Sequence, residues 1–153
     1  MKTTKKSSIQ KIRPFLWFDN QAEEAAKFYT GVFKNSRILN ANPMTVTFVL
    51  DGLEFMALNG GPHHKFTEAI SFFVHCTTQK EIDGLWKKLI ADGGQESQCG
   101  RLFDKYGVSW QIIPHDLGKL LGDKDRVKAN RVMQAMLQMK KIDIAGLKKA
   151  HKK

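Results

Sequence analysis

The feature that most constrains this chain is an internal echo. Residues 52–58, GLEFMAL, superimpose on residues 107–113, GVSWQII, at a spacing of 55, with Gly52 on Gly107, Phe55 on Trp110, Met56 on Gln111 and Leu58 on Ile113. Upstream of each lies a second match, now at a spacing of 57. Residues 15–18, FLWF, fall on residues 72–75, FFVH, and Phe28-Tyr29 fall on Leu85-Trp86. Such self-similarity marks a fold built by repeating one supersecondary unit. A chain of 153 residues is long enough for one domain with a sizeable core.

Local signals fill in the unit. The segment from Ile9 or Ile12 to Phe18 carries apolar residues on both faces, as a strand covered on both sides does. Asp19-Asn20 offer turn and cap chemistry to a helix over 22–33, where Ala25, Phe28, Tyr29 and Val32 recur at helical spacing. Strands are expected over 35–40 and 44–50, around a turn at Asn42-Pro43. Asp51-Gly52 is a hairpin signal that returns the chain through 53–58, and Asn59-Gly60-Gly61-Pro62 ends the unit. The second unit repeats the order. It has a strand over 70–76, a helix over 78–91 stopped by Gly93-Gly94, a weaker strand pair within 95–104 around Cys99-Gly100, and a strand over 108–113. Helices follow at 117–121, 125–140 and 144–150, the second with a wide apolar face of Val132, Met133, Met136, Leu137 and Met139, a core or dimer-packing stripe. The expected fold class is therefore α+β: two βαβββ modules with C-terminal helices. The expected organisation is a basic disordered tail at 1–10, a duplicated domain at 11–115 with modules at 11–61 and 69–115, and a helical extension at 116–153.

The net charge of +10 is unevenly placed. Residues 1–13 carry five Lys or Arg and no acid, residues 14–118 are net −3, and residues 119–153 are net +8. The basic excess lies at the two ends, where solvated tails are the default and no recognition motif points to nucleic acid. No apolar run approaches the roughly 18–20 residues of a membrane span. The basic N-terminus lacks the apolar segment of a secretory signal. Two cysteines, Cys76 and Cys99, form neither a disulfide framework nor a zinc motif, so free thiols and a cytoplasmic location are expected. Cys99 has only Arg101 as a basic neighbour in sequence and is read as structural.

Residues 14–18 (PFLWF), 22–29, 55–62 (FMALNGGP), 69–72 and 99–114, with 134–150 in the tail, carry a family pattern. The chain resembles the vicinal-oxygen-chelate superfamily of glyoxalases, bleomycin-resistance proteins and extradiol dioxygenases. Within it, the resemblance is to the PhnB-like branch, which carries the name 3-demethylubiquinone-9 3-methyltransferase domain. The resemblance implies that each module forms half of a curled sheet cupping a ligand cavity, and that the protein is a homodimer. The family's usual aromatic after Cys99-Gly100 is Arg101 here, which adds a cation to that wall. The methyltransferase name finds no support in the glycines. Gly60-Gly61 precede a proline and Gly93-Gly94 end a helix, and neither opens a helix after a strand as a cofactor-binding turn does. No cofactor is expected.

Catalytic members of the superfamily hold a divalent metal on the first and fourth strands of each module. The pattern places those ligands at Pro14 and Ser71, fourteen residues before the helix aromatic pair, and at Met56 and Gln111, four after the turn glycine. Proline has no donor, serine is weak, methionine is soft and glutamine is neutral, so no metal is expected. Strand alternation with those four inward also brings Leu16, Phe18, Glu54, Leu58, Phe73, His75, Ser109 and Ile113 to the cavity face. Trp17, Phe15, Phe72 and Val74 then face Phe28, Tyr29, Leu85 and Trp86 of the helices. An apolar cup with few polar groups suits an unidentified small molecule. Gln111 offers both donor and acceptor, against the alternative that it only satisfies its neighbours. His75 and Glu54 offer a general acid–base pair, against the alternative of a solvated rim. The leading reading is a metal-independent small-molecule binder. The rivals are an enzyme of unknown reaction in the same cup, and a binder of nucleic acid or anionic surfaces through the basic ends.

Overall fold

In each half of the chain the first and last strands of the repeat, the two stretches that echo the other half, lie side by side in one sheet. A computed structural model describes residues 9–153, and the chain divides into one unit up to Lys65 and a second from Phe66 onward. The first unit runs β1 (Phe15–Phe18), α1 (Ala22–Val32), β2 (Arg37–Ala41), β3 (Thr45–Leu50) and β4 (Leu53–Asn59). Its sheet has the order β1-β4-β3-β2, with β1 parallel to β4 and the other pairs antiparallel. Asp51 and Gly52 both take positive φ, 45° and 81°, the geometry of a two-residue hairpin turn that matches strand twist.

Helix α1 buries Ala22, Ala25, Ala26, Tyr29 and Val32. Tyr29 stacks on Phe48 at 6.3 Å and Phe48 on Phe55 at 5.4 Å. The cap of α1 does not come from Asp19-Asn20. The N-cap residue is Gln21, with no side-chain cap bond, and Asn59 Oδ1 at the end of β4 accepts from the Ala22 N–H at 2.8 Å. Strand β1 is also shorter than its apolar pattern suggests. Ahead of it, Gln10 takes the place of a strand neighbour, its side-chain amide donating to the Glu54 carbonyl at 3.0 Å and accepting from the Glu54 N–H at 3.1 Å. Residues 1–8 of the expected basic tail lie outside the described residues.

The second unit repeats the plan with β5 (Phe72–Cys76), α2 (Gln79–Leu89), β6 (Gln95–Glu96), β7 (Arg101–Phe103) and β8 (Ser109–Pro114), in the order β5-β8-β7-β6. Thr78 caps α2 by accepting from the Glu81 N–H, and the Glu81 carboxylate returns to the Thr77 N–H, so the helix start is fixed from both sides. The turn into β8 is organised by buried Asp104. Its carboxylate accepts from the Tyr106 and Val108 N–H groups at 2.8 and 3.1 Å and from Trp110 Nε1 at 2.9 Å.

Three helices follow: α3 (His115–Leu121), α4 (Arg126–Leu137) and α5 (Ile144–Lys152). They form their own apolar cluster of Leu117, Val132, Ile142 and Leu147 with Ile113 of β8. Met136 and Met139 pack on it, whereas Met133 and Leu137 of the same stripe stay exposed. Polar bonds tie this segment to the second unit. Cys99 and Gly100 donate to the Met139 and Lys140 carbonyls. The Gln79 amide donates to the Ile142 carbonyl and accepts from the Ile144 N–H. Arg131 donates to the last carbonyls of α5 at Ala150 and His151. Part of the extension's positive charge is therefore engaged within the chain, with Lys141 on Asp83 and Lys148 on Asp116. No helix of the described residues is long and apolar enough to cross a membrane.

Candidate functional site

Two sheet faces are available, and alternation decides which side chains each presents. In the second unit, Phe72, Val74, Trp110 and Ile112 alternate onto the face that carries buried Leu102, and the opposite face carries Phe73, Gln111 and Arg101. Phe73 is the register partner of Gln111, and Gln111 of Arg101. One row across three strands thus sets an aromatic ring, an amide and a guanidinium side by side. The Gln111 Nε2 donates to Ser71 Oγ at 2.7 Å, so Ser71 lies on the same face and steadies the amide. A cavity of about 410 Å³ opens over this row. The sheet supplies Phe73, Gln111, Arg101 and Ile113, α3 supplies Leu117 and Leu121, and α4 supplies Met136. Cys99, held at a positive φ of 58°, also lines it.

The remaining expected site residues of this unit are placed as follows. Ser109 pairs with Phe103 and is buried, and its hydroxyl has no hydrogen-bond partner among the described residues. His75 is exposed at the strand end, its ring 4.8 Å from that of Phe73 and 6.4 Å from that of His115. Cys76 points the other way, and burial, then the charge of Glu81, pushes its thiol up to about 12. It stays protonated at neutral pH and is no nucleophile.

In the first unit the expected faces are inverted for β1. Phe15 is the partner of Met56, and Leu16 is the partner of Ala57, which is fully buried. Leu16 and Phe18 are accordingly core residues on the Phe48–Phe55 side, not cavity residues. Trp17 and Phe15 lie on the Met56 face instead. Phe15 is 53 % exposed, and Trp17 packs on Gly60 and donates to the Gly61 carbonyl at 2.9 Å. Pro14, half-buried ahead of the strand, precedes the residue that faces Met56. The Glu54 carboxylate is paired with the Arg13 guanidinium at 2.7 Å.

The physical reason is one residue of connector. Three residues separate Phe18 from Ala22, but only two separate Cys76 from Gln79. The helices repeat at 57, whereas the strands register at 58, with Phe15 on Met56 as Phe73 is on Gln111. A one-residue slip exchanges the two faces of a strand.

The donors do not fit the superfamily's divalent metal. Phe15 and Met56 in one sheet, and Phe73, Ser71 and Gln111 in the other, offer no hard anionic ligand set. Among the described residues no group of three or more His, Cys, Asp or Glu side chains is placed to hold an ion. The glycine pairs have packing roles. Gly60 lies against the Trp17 ring, and Gly94 against the Ile90 backbone.

Sequence reasoning missed the helical wall. Leu117, Leu121 and Met136 carry no motif that distinguishes a cavity wall from a core. Arg101 was legible as a cation, but only its register opposite Gln111 puts it in the row.

The family model for 3-demethylubiquinone-9 3-methyltransferase matches residues 10–113, stopping just before α3. Among solved structures, a PhnB protein from Bacillus cereus that carries the same methyltransferase name is 38 % identical, with a TM-score of 0.62 over 69 % of this chain and 99 % of that one. A glyoxalase/bleomycin resistance protein from Albidiferax ferrireducens is 16 % identical, with a TM-score of 0.51 over 67 % of this chain and 96 % of that one. The fosfomycin resistance protein FosX of Listeria monocytogenes, solved with Mn(II) and sulfate, is 14 % identical, with a TM-score of 0.54 over 81 % of this chain and 98 % of that one. Curated proteins yield no match.

Proposed function

The chain belongs to the 3-demethylubiquinone-9 3-methyltransferase family, within the glyoxalase/bleomycin-resistance fold, and from that premise we propose that it binds a small molecule without a metal. The cavity of about 410 Å³ on the second sheet carries this reading. It falls within the usual range of small-molecule sites, about 300–1,000 Å³, and has their character of apolar walls with few polar groups. Gln111 is the central polar contact. Its donor is partly engaged by Ser71, and its carbonyl remains for a ligand. In this reading the protein is cytoplasmic, with Cys76 and Cys99 as free thiols.

The test is a thermal-shift screen of a metabolite panel, followed by titration of the best hit into wild type and Gln111→Met, each with and without a chelator. The near-isosteric variant should lose about 1–3 kcal/mol of affinity if a buried hydrogen bond to the ligand is removed. The chelator should change nothing. Equal affinities for both proteins would remove Gln111 from the site, and loss of binding on chelation would restore a metal to it.

We further propose a homodimer. On the first unit Phe15, Leu39 and Met44 are exposed apolar side chains at 53, 44 and 64 %. Exposed apolar surface of this kind is commonly covered by a partner. Sedimentation at micromolar concentration should give twice the chain mass. A monomer that persists at all concentrations is the contrary result.

A further inference from the structure

We propose that the cavity on the second sheet selects small organic anions, an apolar body bearing a carboxylate or similar oxyanion, with Arg101 as the counter-ion. This rests on the small-molecule reading above and adds to it the chemical class of the ligand.

Three observations converge. Arg101 is the cross-strand partner of Gln111, so its side chain stands in the row that floors the cavity. No residue lining that cavity is acidic. Among the described residues Arg101 forms no ion pair, and its guanidinium makes one long bond of 3.4 Å to the Glu68 backbone carbonyl. A guanidinium has five donors in a planar fork suited to a carboxylate, and on exposed Arg101 most of them have no protein partner among the described residues.

The same arginine also lines a second recess of about 30 Å³, together with Ser109. Ser109 is 2 % exposed and its hydroxyl has no partner among the described residues, in a space with room for one oxygen-sized group. Glu68 borders that recess too, yet its carboxylate makes no ion pair with Arg101. Arg101 is thus the one residue that lines both the cavity and this recess. Leu117, Leu121 and Met136 in the same lining offer only apolar surface for the ligand's body. The chemistry calls for an amphipathic acid, not a neutral or cationic molecule.

The experiment titrates matched pairs into the full chain by calorimetry: 4-phenylbutyrate against 4-phenylbutanamide, and octanoate against octanamide. Wild type should bind each acid about tenfold more tightly than its amide, as a charge-assisted bidentate contact requires. Arg101→Leu should erase the preference by weakening the acid to the level of the amide. Arg101→Gln, equally neutral but polar, should do the same, which excludes leucine filling the cavity as the cause. Arg101→Lys should keep part of the preference. If wild type binds acid and amide equally, the anion inference fails and the small-molecule reading stands. A preference that survives in both neutral variants also overturns it, by placing the counter-ion elsewhere. If no member of the series binds and the metabolite screen is silent as well, both readings fail together.

Discussion

Asp104→Ala should destabilise the protein by about 3 kcal/mol, close to the upper range for losing a buried charged hydrogen-bonding partner. Asp104 is 3 % exposed and its carboxylate serves at least three donors at once, among them two backbone groups of the turn and the Trp110 indole. Alanine leaves two of those donors, the Val108 N–H and the Trp110 indole, buried without a partner, so the cost includes their unmet desolvation and not merely the bonds. Trp110 is itself buried beside Phe72, with ring centroids 5.3 Å apart, so its loosening spreads into β5 and β8. Asp104→Asn separates shape from charge. It keeps one oxygen for the backbone N–H groups but turns an NH₂ toward the indole N–H. It should recover part of the loss, and never all of it. Urea unfolding of the three proteins reads both differences. A loss below about 1 kcal/mol for alanine would mean that water replaces the carboxylate and the turn is not organised by it.

Because β8 holds both Trp110 on its core face and Gln111 on its cavity face, the Asp104 turn also sets the site. The fold is legible in the sequence for a related reason. The echo of GLEFMAL in GVSWQII reflects two strands in equivalent places, each with a neighbour on both sides in a four-stranded sheet, and buried strands constrain side chains strongly enough to leave a pattern. The helices are legible through Tyr29 and Trp86, both buried at matching positions. The faces of β1 are not. Phe15 and Phe72 match as letters, but strand identity has a period of two, and a connector shorter by one residue reverses it without altering composition. Alternation alone therefore puts Leu16 and Phe18 in a cup when they are core, while Ser71, Phe73 and Gln111 on the second sheet face as the alternation requires. The cavity wall is illegible because apolar helical positions look alike whether they meet another side chain or an open space.

Where the C-terminal segment crosses the second sheet, Gly100 has no room for any side chain. It sits at φ +81°, and a Cβ there would come 2.6 Å from Ile113 Cδ1 and 3.0 Å from both the Ile112 carbonyl oxygen and Ile142 Cγ1. Its N–H donates to the Lys140 carbonyl and its own carbonyl accepts from the Ile112 N–H, each at 2.7 Å, so the backbone has no freedom to retreat. Gly107 is the natural control, with φ +86° and open space for 4 Å around the position a Cβ would take. Alanine at Gly107 should cost about 1–2 kcal/mol, the left-handed strain alone. Alanine at Gly100 should cost roughly 3 kcal/mol or more, because overpacking adds about 1–3 kcal/mol to the same strain. The excess should appear in the contacts of Ile113 and Ile142, and hence in the wall of the cavity, so Gly100→Ala should also weaken whatever the cavity binds while Gly107→Ala does not. Chemical denaturation gives the first comparison and titration of 4-phenylbutyrate the second. Equal losses at the two glycines would show that Ile113 and Ile142 yield freely, and that the C-terminal helices rest on the sheet without being locked to it.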